Sequence, residues 1–579
     1  MKNRITITAL CLMALWASFV TNAAAAGTPS ADPLLQAWLE PIALAAERSP
    51  AMSTEPPLAA LALFYRQRQF QPAWLDAHGW HDSARILLQA LQDAAAEGLD
   101  PKDYDHLDTQ ERLISPVAGR LEEPHTLGPD LLRLDMAMTA LLLKYCTDLS
   151  QGRIEPQALF EGDIFPEKPP IRRLPQQLAT ALSEDRLEAF IASLSPQHAQ
   201  YRALKGILQR YRQIATAGGW PQIPAGPELR LGDTGERMAL LRRHLVVTAD
   251  LMAAAPGAED RFDAIMEAAL RQFQQRHGLT PDGVAGKSTL AALNIPVEAR
   301  IVQLELNLER WRWMPRILPK RYLAVNIPAF EIKLVDNGEE VLAMRAIVGQ
   351  TERPTPILSG LMTYLELNPY WNIPQKIAGE DILPKIQADP QYLNRQGIQV
   401  FNSWEEDAPA LDPLQVDWAR VSEHYFPYRL RQVPTAHNAL GRVKFMFSNP
   451  YSVYIHDTPG RSLFNKVRRV FSSGCVRVEH PLTLAARILQ GQGWDRRRLT
   501  AAMKSEQRRA IGLENPLPVY LLYFTAWTDA AQRIHFAEDI YQRDQRLYQA
   551  LTNAPSPFYL CGSAPGADLA GDCSSPPHI

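Results

Sequence analysis

Tyr454-Ile455-His456-Asp457-Thr458-Pro459 and, thirteen residues on, Ser472-Ser473-Gly474-Cys475-Val476-Arg477 are the stretches around which the rest of the chain reads. His456 ends a β-branched and aromatic run, and Cys475 follows a small, flexible tripeptide. A thiol nucleophile needs a base or cation beside it and donors for an oxyanion. His456 and Cys475 are nineteen residues apart and meet only if their runs fold as neighbouring strands. An imidazole there stabilises the thiolate. Gly474 lets the backbone pass close to a carbonyl, and the amides of Ser473, Gly474 and Cys475 are the candidate oxyanion donors. Arg477 offers a head for a carboxylate.

Moving outward, a strand is expected over 476–478, a helix over 482–489 opened by Pro481, and a second helix over about 495–510. A buried strand follows over 519–527, a partner at 534–536 and a closing helix over about 539–551. Upstream, strands are expected at 322–327, 330–335, 341–348 and 362–367, with Asp336-Asn337-Gly338 as a hairpin turn. Residues 371–437, rich in Trp, Pro and charge, interrupt the pattern, which resumes at 443–447. An insertion of this length beside a site strand reads as a lid or binding loop, with Trp404 or Trp418 as contacts. Arg461, Lys466, Arg468 and Arg469 read as a solvated basic loop, and Lys444 as either a ligand-facing or a solvated strand lysine.

The N-terminus reads as an export signal over 1–26. Lys2 and Arg4 precede an apolar run over 5–20, and Ala24-Ala25-Ala26 is a small-residue cleavage site. An uncleaved anchor is the alternative. Residues 27–226 read as a helical scaffold: a short helix before Pro41, then apolar faces at helical spacing, the strongest over 131–149 with Asp130 at its start. A linker over 215–227 leads to three helices with the turn Arg276-His277-Gly278-Leu279-Thr280-Pro281-Asp282-Gly283, where His277 reads as a turn residue.

With 579 residues the chain needs several cores. Its formal net charge of −3 gives no footprint for nucleic acid. After processing four cysteines remain. Cys146 fits a buried thiol in a helix, Cys561 and Cys573 sit close enough in the tail over 553–579 to pair, and Cys475 is left as the reactive one. No metal-ligand spacing is visible, and thiol chemistry needs neither a metal nor another cofactor.

Two resemblances sharpen this reading. Residues 228–296, with the LRLGDTGE start, the FQQRHGLTPDGVAG block and the TLAALN end, resemble the peptidoglycan-binding type 1 domain, a three-helix module that implies cell-wall binding. Residues 321–505 resemble the catalytic domain of the L,D-transpeptidases, the YkuD-type fold, whose motif is a histidine, a spacer and Ser/Thr-x-Gly-Cys followed by Arg. Ser473 stands where the wider family often has histidine. That departure, together with NPYWNIP at 368–374 and NALGRVKF at 438–445, resembles the large YcbB-like subgroup of Gram-negative bacteria.

The resemblance implies a multidomain α+β chain: the helical scaffold, the wall-binding module, and a mostly-β catalytic domain over 321–552 that carries a capping insertion at 371–437. It implies Cys475 as nucleophile, His456 as base, and Ser473 and Gly474 in the oxyanion site. Tyr454, Arg477, Ser472 and Lys444 would bind the stem peptide. The implied reaction takes a tetrapeptide donor and a diaminopimelate acceptor in the periplasm to a 3→3 crosslink, and carbapenems would acylate the thiol. Hydrolysis of the same stems, or attachment of a lipoprotein to the wall, uses the same site.

Overall fold

The computed structural model describes residues 31–48, 57–76, 79–104, 128–168, 173–252, 260–405 and 407–553. The export signal, Cys561, Cys573 and the tail from 554 lie outside them. Contacts divide the chain into two units. One comprises residues up to 154, 169–197 and from 547 on; the other comprises 155–168 and 198–546.

The first unit is helical. Helix Ala31–Arg48 runs through Pro41, where the sequence predicts a stop. Leu35, Leu39 and Ala43 all face the core four residues apart, so burial of that stripe outweighs the one hydrogen bond that proline removes. Helix Pro129–Gln151 starts two residues earlier than expected, with Gly128 as its N-cap and proline at the first position. Asp135 on this helix is fully buried. Its carboxylate accepts from the Tyr65 hydroxyl and from the amides of Ala73 (2.9 Å) and Trp74 (2.8 Å), so the buried polar group is satisfied. Cys146 is a buried free thiol, as expected, and burial raises its pKa.

In the second unit, helices Ala199–Thr216 and Val297–Arg312 share a core with Phe524 and Phe536. The three-helix module, Glu236–Val247, Ala264–Arg276 and Lys287–Leu293, closes over Leu241, Leu245, Phe262, Met266 and Phe273. His277 ends the second helix in a turn, as expected, and its ring is packed among aromatic neighbours. Its ring stacks on Phe273 at 3.8 Å and on Phe536 at 5.7 Å. Arg300 lies 4.4 Å over the same Phe536 ring.

The largest element is a nine-stranded sheet. In chain order its strands are β1 Arg321–Asn326, β2 Glu331–Asp336, β3 Glu339–Gly349, β4 Leu358–Leu367, β5 Val443–Phe447, β6 Ile455–His456, β7 Val470–Ser472, β8 Val476–Val478 and β9 Arg509–Leu522. The spatial order is β7-β3-β8-β6-β5-β4-β9-β1-β2, and β2 also pairs with β3, so the sheet curls back on itself and leaves few open edges. The β2–β3 hairpin turns at Asn337 and Gly338, both with positive φ, as a two-residue primed turn requires. β9 begins at Arg509, where the sequence predicts the end of a helix. That helix stops at Lys504, and the strand runs on through Pro516 and Pro518. A register shift between Gly512 and Leu517 absorbs Pro516, the kind of irregularity at which sheets tolerate proline.

The insertion builds its own small core. Strands Trp371–Ile373, Ile398–Phe401 and Arg429–Gln432 form a sheet with the last in the middle. Trp418 belongs to that core, its indole N–H donating to the Pro413 carbonyl at 2.8 Å, so it is not a free contact residue; Trp404 is 60% exposed. Residues Ala378–Ile382 form a π-turn just before the Leu383–Ala388 helix. Pro384 there has no N–H to continue an α ladder, which accounts for the widened turn.

Candidate active site

The sheet register assembles the site. β6 pairs parallel with β8, matching Ile455 to Val476 and His456 to Arg477. On its other side β6 pairs antiparallel with β5, matching Phe445 to Ile455 and Lys444 to His456. β5 continues to β4, where Lys444 meets Glu366 and Phe445 meets Leu365. Side chains alternate along strands, so two rows cross four strands on opposite faces. Val476, Ile455, Phe445 and Leu365 are fully buried and form the apolar row. Arg477, His456, Lys444 and Glu366 form the polar row, with Tyr454 and Cys475 one step along on the same face. A one-residue slip would exchange the rows, so burial of the apolar row holds the polar one in place.

His456 is buried, and its Nδ1 lies 2.5 Å from the Asp457 carbonyl oxygen. A carbonyl oxygen only accepts, so this contact assigns the proton to Nδ1 and leaves a lone pair on Nε2. Burial, and then the Arg477 charge, push the pKa of His456 down to about 3. The ring is therefore a neutral base at ordinary pH.

Cys475 is half-buried. Its Sγ sits 3.9 Å from the Ser452 carbonyl, and the backbone N–H and hydroxyl of Tyr454 donate to it. Burial raises the thiol pKa, opposed by those donors and by the charges of Lys444 and Arg477. The resting side chain is thus a thiol, with cations placed to accept it as thiolate. Lys444 is not a solvated strand lysine: it is half-buried, with its ammonium 4.0 Å over the Tyr454 ring, and burial lowers its pKa. Tyr454 in turn lies edge-on to His456, 5.6 Å between ring centres. The Arg477 Nε is buried without a hydrogen-bond partner among the described residues.

The loop from Ser472 to Cys475 is held at each residue. The Ser472 carbonyl accepts from Gln350 N at 2.9 Å, and the Ser473 hydroxyl from Arg353 at 2.9 Å. The Gly474 carbonyl accepts from the Thr355 hydroxyl at 2.8 Å, and the Cys475 carbonyl from the Ser472 hydroxyl at 2.5 Å. Gly474 has φ +104°, a conformation that side-chain-bearing residues rarely adopt. Among the described residues no acceptor is found for the N–H groups of Ser473, Gly474 and Cys475.

Ser472, read from sequence as a stem-binding residue, is buried, with its hydroxyl engaged inside the loop. Arg353 and Thr355 are functional neighbours that the sequence reading missed, because they sit in an aperiodic turn and carry no motif. The basic loop is also less free than expected. Arg461 binds the Asp457 carboxylate and the Glu479 carbonyl, and Arg469 caps the Phe330 and Ala346 carbonyls, while Lys466 and Arg468 stay exposed.

Burial also lowers the pKa of His244, to about 4, and that of His277. Together with His456 these histidines stay neutral in the fold but protonate near pH 6.5 when unfolded. Below that value the unfolded chain binds more protons, so stability is complete above about pH 6.5 and is lost as pH falls toward 4. Thermal melts at fixed ionic strength are expected to show a steep fall in Tm between pH 6.5 and 4. A flat profile over that window would show that these rings are not held neutral.

Three domain families match. Residues 59–208 match a scaffold domain, and 235–293 match the family described as "Putative peptidoglycan binding domain". Residues 320–496 match the L,D-transpeptidase catalytic domain, a span that takes in every residue of the polar row described above. The chain carries an L,D-transpeptidase catalytic domain. It is 34% identical over 257 residues to a Haemophilus influenzae protein named "Putative L,D-transpeptidase", an alignment covering 44% of this chain. The chain thus spans about half (51%) of that relative's length. A solved L,D-transpeptidase fragment from Xylanimonas cellulosilytica is 16% identical, with 52% of this chain and 99% of that one covered and a TM-score of 0.17. A transpeptidase domain beside a wall-binding module fits a chain that works outside the cytoplasm. No helix of the described residues is long and apolar enough to cross a membrane.

Proposed function

We propose that this chain forms 3→3 crosslinks in peptidoglycan through a thioester on Cys475. The observation that carries this reading is the His456 tautomer. With Nδ1–H committed to the Asp457 carbonyl, Nε2 is a neutral acceptor on the face that carries the thiol. In the first step Sγ bonds to the diaminopimelate carbonyl of a tetrapeptide stem as its proton passes to His456. The oxyanion meets the amides of Ser473, Gly474 and Cys475. The C–N bond breaks, and D-alanine leaves with the proton from the imidazolium. In the second step the side-chain amine of a diaminopimelate on another stem attacks the thioester, His456 takes its proton, and the thiol is regenerated.

Lys444 and Arg477 stabilise the thiolate during attack. The Arg477 guanidinium and the Tyr454 ring hold the stem, and the 371–437 insertion covers it. The basic, apolar and small-residue signature of 1–26 supports export to the periplasm. A carbapenem would acylate the same thiol. Incubation of purified protein with tetrapeptide muropeptides, read by mass spectrometry, is expected to give dimers and free D-alanine. Trimmed monomers without dimers would mean that water is the acceptor and would replace crosslinking by hydrolysis.

A further inference from the structure

The turn over 349–355 holds three successive residues of the nucleophile loop: Gln350 takes the Ser472 carbonyl, Arg353 the Ser473 hydroxyl and Thr355 the Gly474 carbonyl. The turn itself is closed tightly. Gly349 N donates to the Thr355 hydroxyl at 2.8 Å, and a Cβ at Gly349 would strike the Arg353 carbonyl. Of the three residues Arg353 is the one that reaches the insertion. Its guanidinium binds Asp381 through both terminal nitrogens, at 2.6 and 2.9 Å, and Glu380 at 2.6 Å. Both carboxylates lie in the π-turn of the insertion. That π-turn is not a loose loop, because Gly379 packs so closely on Glu423 that a Cβ there would lie 3.1 Å from its backbone. A shift of the insertion therefore carries Asp381 and Glu380 with it as a body.

We infer that Arg353 is a positioning residue that couples the seating of the 371–437 insertion to the geometry of the oxyanion amides, so that the loop is set for attack when the insertion is docked. This rests on the acyl-transfer reading above. The fork geometry matters: a guanidinium can bind a carboxylate with two nitrogens and still donate to a hydroxyl, whereas an ammonium cannot reproduce that arrangement. Misplacing reacting groups by about 1 Å costs about 100-fold in rate.

The test compares wild type with Arg353→Lys and Asp381→Asn on muropeptides, alongside amide hydrogen exchange at residues 473–475 and alkylation of Cys475 by iodoacetamide. In both variants kcat is expected to fall about 10- to 100-fold, with KM changed less than about threefold. Exchange at 473–475 should speed up, and alkylation should stay within about threefold of wild type. If kcat and exchange are both unchanged in the two variants, the coupling does not exist. If KM alone rises, the contact binds substrate and positions nothing. Should wild type give no acyl transfer, that earlier reading fails, while the exchange data still decide whether Arg353 couples insertion to loop. Asp381→Asn keeps the side-chain volume and serves if the arginine variant does not fold.

Discussion

Alanine at position 475 is expected to leave a folded protein that transfers no acyl group. Cys475 is half-buried just before strand β8 and is not among the buried apolar residues, so its removal should move Tm by only a few degrees. Turnover, by contrast, should fall at least ~10⁴-fold, because the bond-forming atom is gone. The mass of wild type incubated with a carbapenem should rise by one adduct, and that of Cys475→Ala should not. Crosslinked dimers persisting with the alanine variant would refute the nucleophile assignment outright. Cys146, the other described cysteine, is fully buried with its thiol pKa raised, and should stay unmodified in the folded protein.

His456→Ala is the second large effect, expected to cost about 10²–10⁴-fold in kcat, the range of a positioned general base. The sign of the pH dependence gives a finer test. Because burial and Arg477 hold the imidazole near pKa 3, the base is available throughout the neutral and mildly acidic range. The wild-type profile of kcat/KM should therefore show no inflection near 6.5. It should instead rise toward alkaline pH as the raised Cys475 thiol ionises. An inflection near 6.5 that vanishes in His456→Ala would mean a histidine that titrates normally, and with it a resting thiolate–imidazolium pair in place of a neutral base.

Most of the polar face was legible in sequence because its members sit in period-2 runs, although Glu366, which the register sets opposite Lys444, was not singled out. Tyr454, His456, Cys475 and Arg477 announce their shared face once 454–456 and 475–478 are read as neighbouring strands. The residues that fix the loop were not legible. Arg353 and Thr355 act from a turn, where no periodicity ties a residue to its partner, and their contacts lie some 120 positions away. Proline misled in both halves of the chain. At Pro41 and Pro516 the local rule predicts a break, yet a buried stripe in one case and a register shift in the other carry the element through. His277 is the turn residue its place beside glycine suggests, but its stacking on Phe536, far along the chain, carries no local signal.

The stack of Phe273, His277 and Phe536 has a consequence for reach. A binding module on a flexible linker raises the local concentration of everything within a sphere set by linker length. Here His277 packs the three-helix module on Phe536, a ring that Arg300 of the following helix also covers, so the module is not free to sweep such a sphere. If the module grips the wall, the thiol stands at one fixed offset from the point of grip. The enzyme would then work as a ruler, choosing among chemically identical stems by their spacing along the strand that it holds.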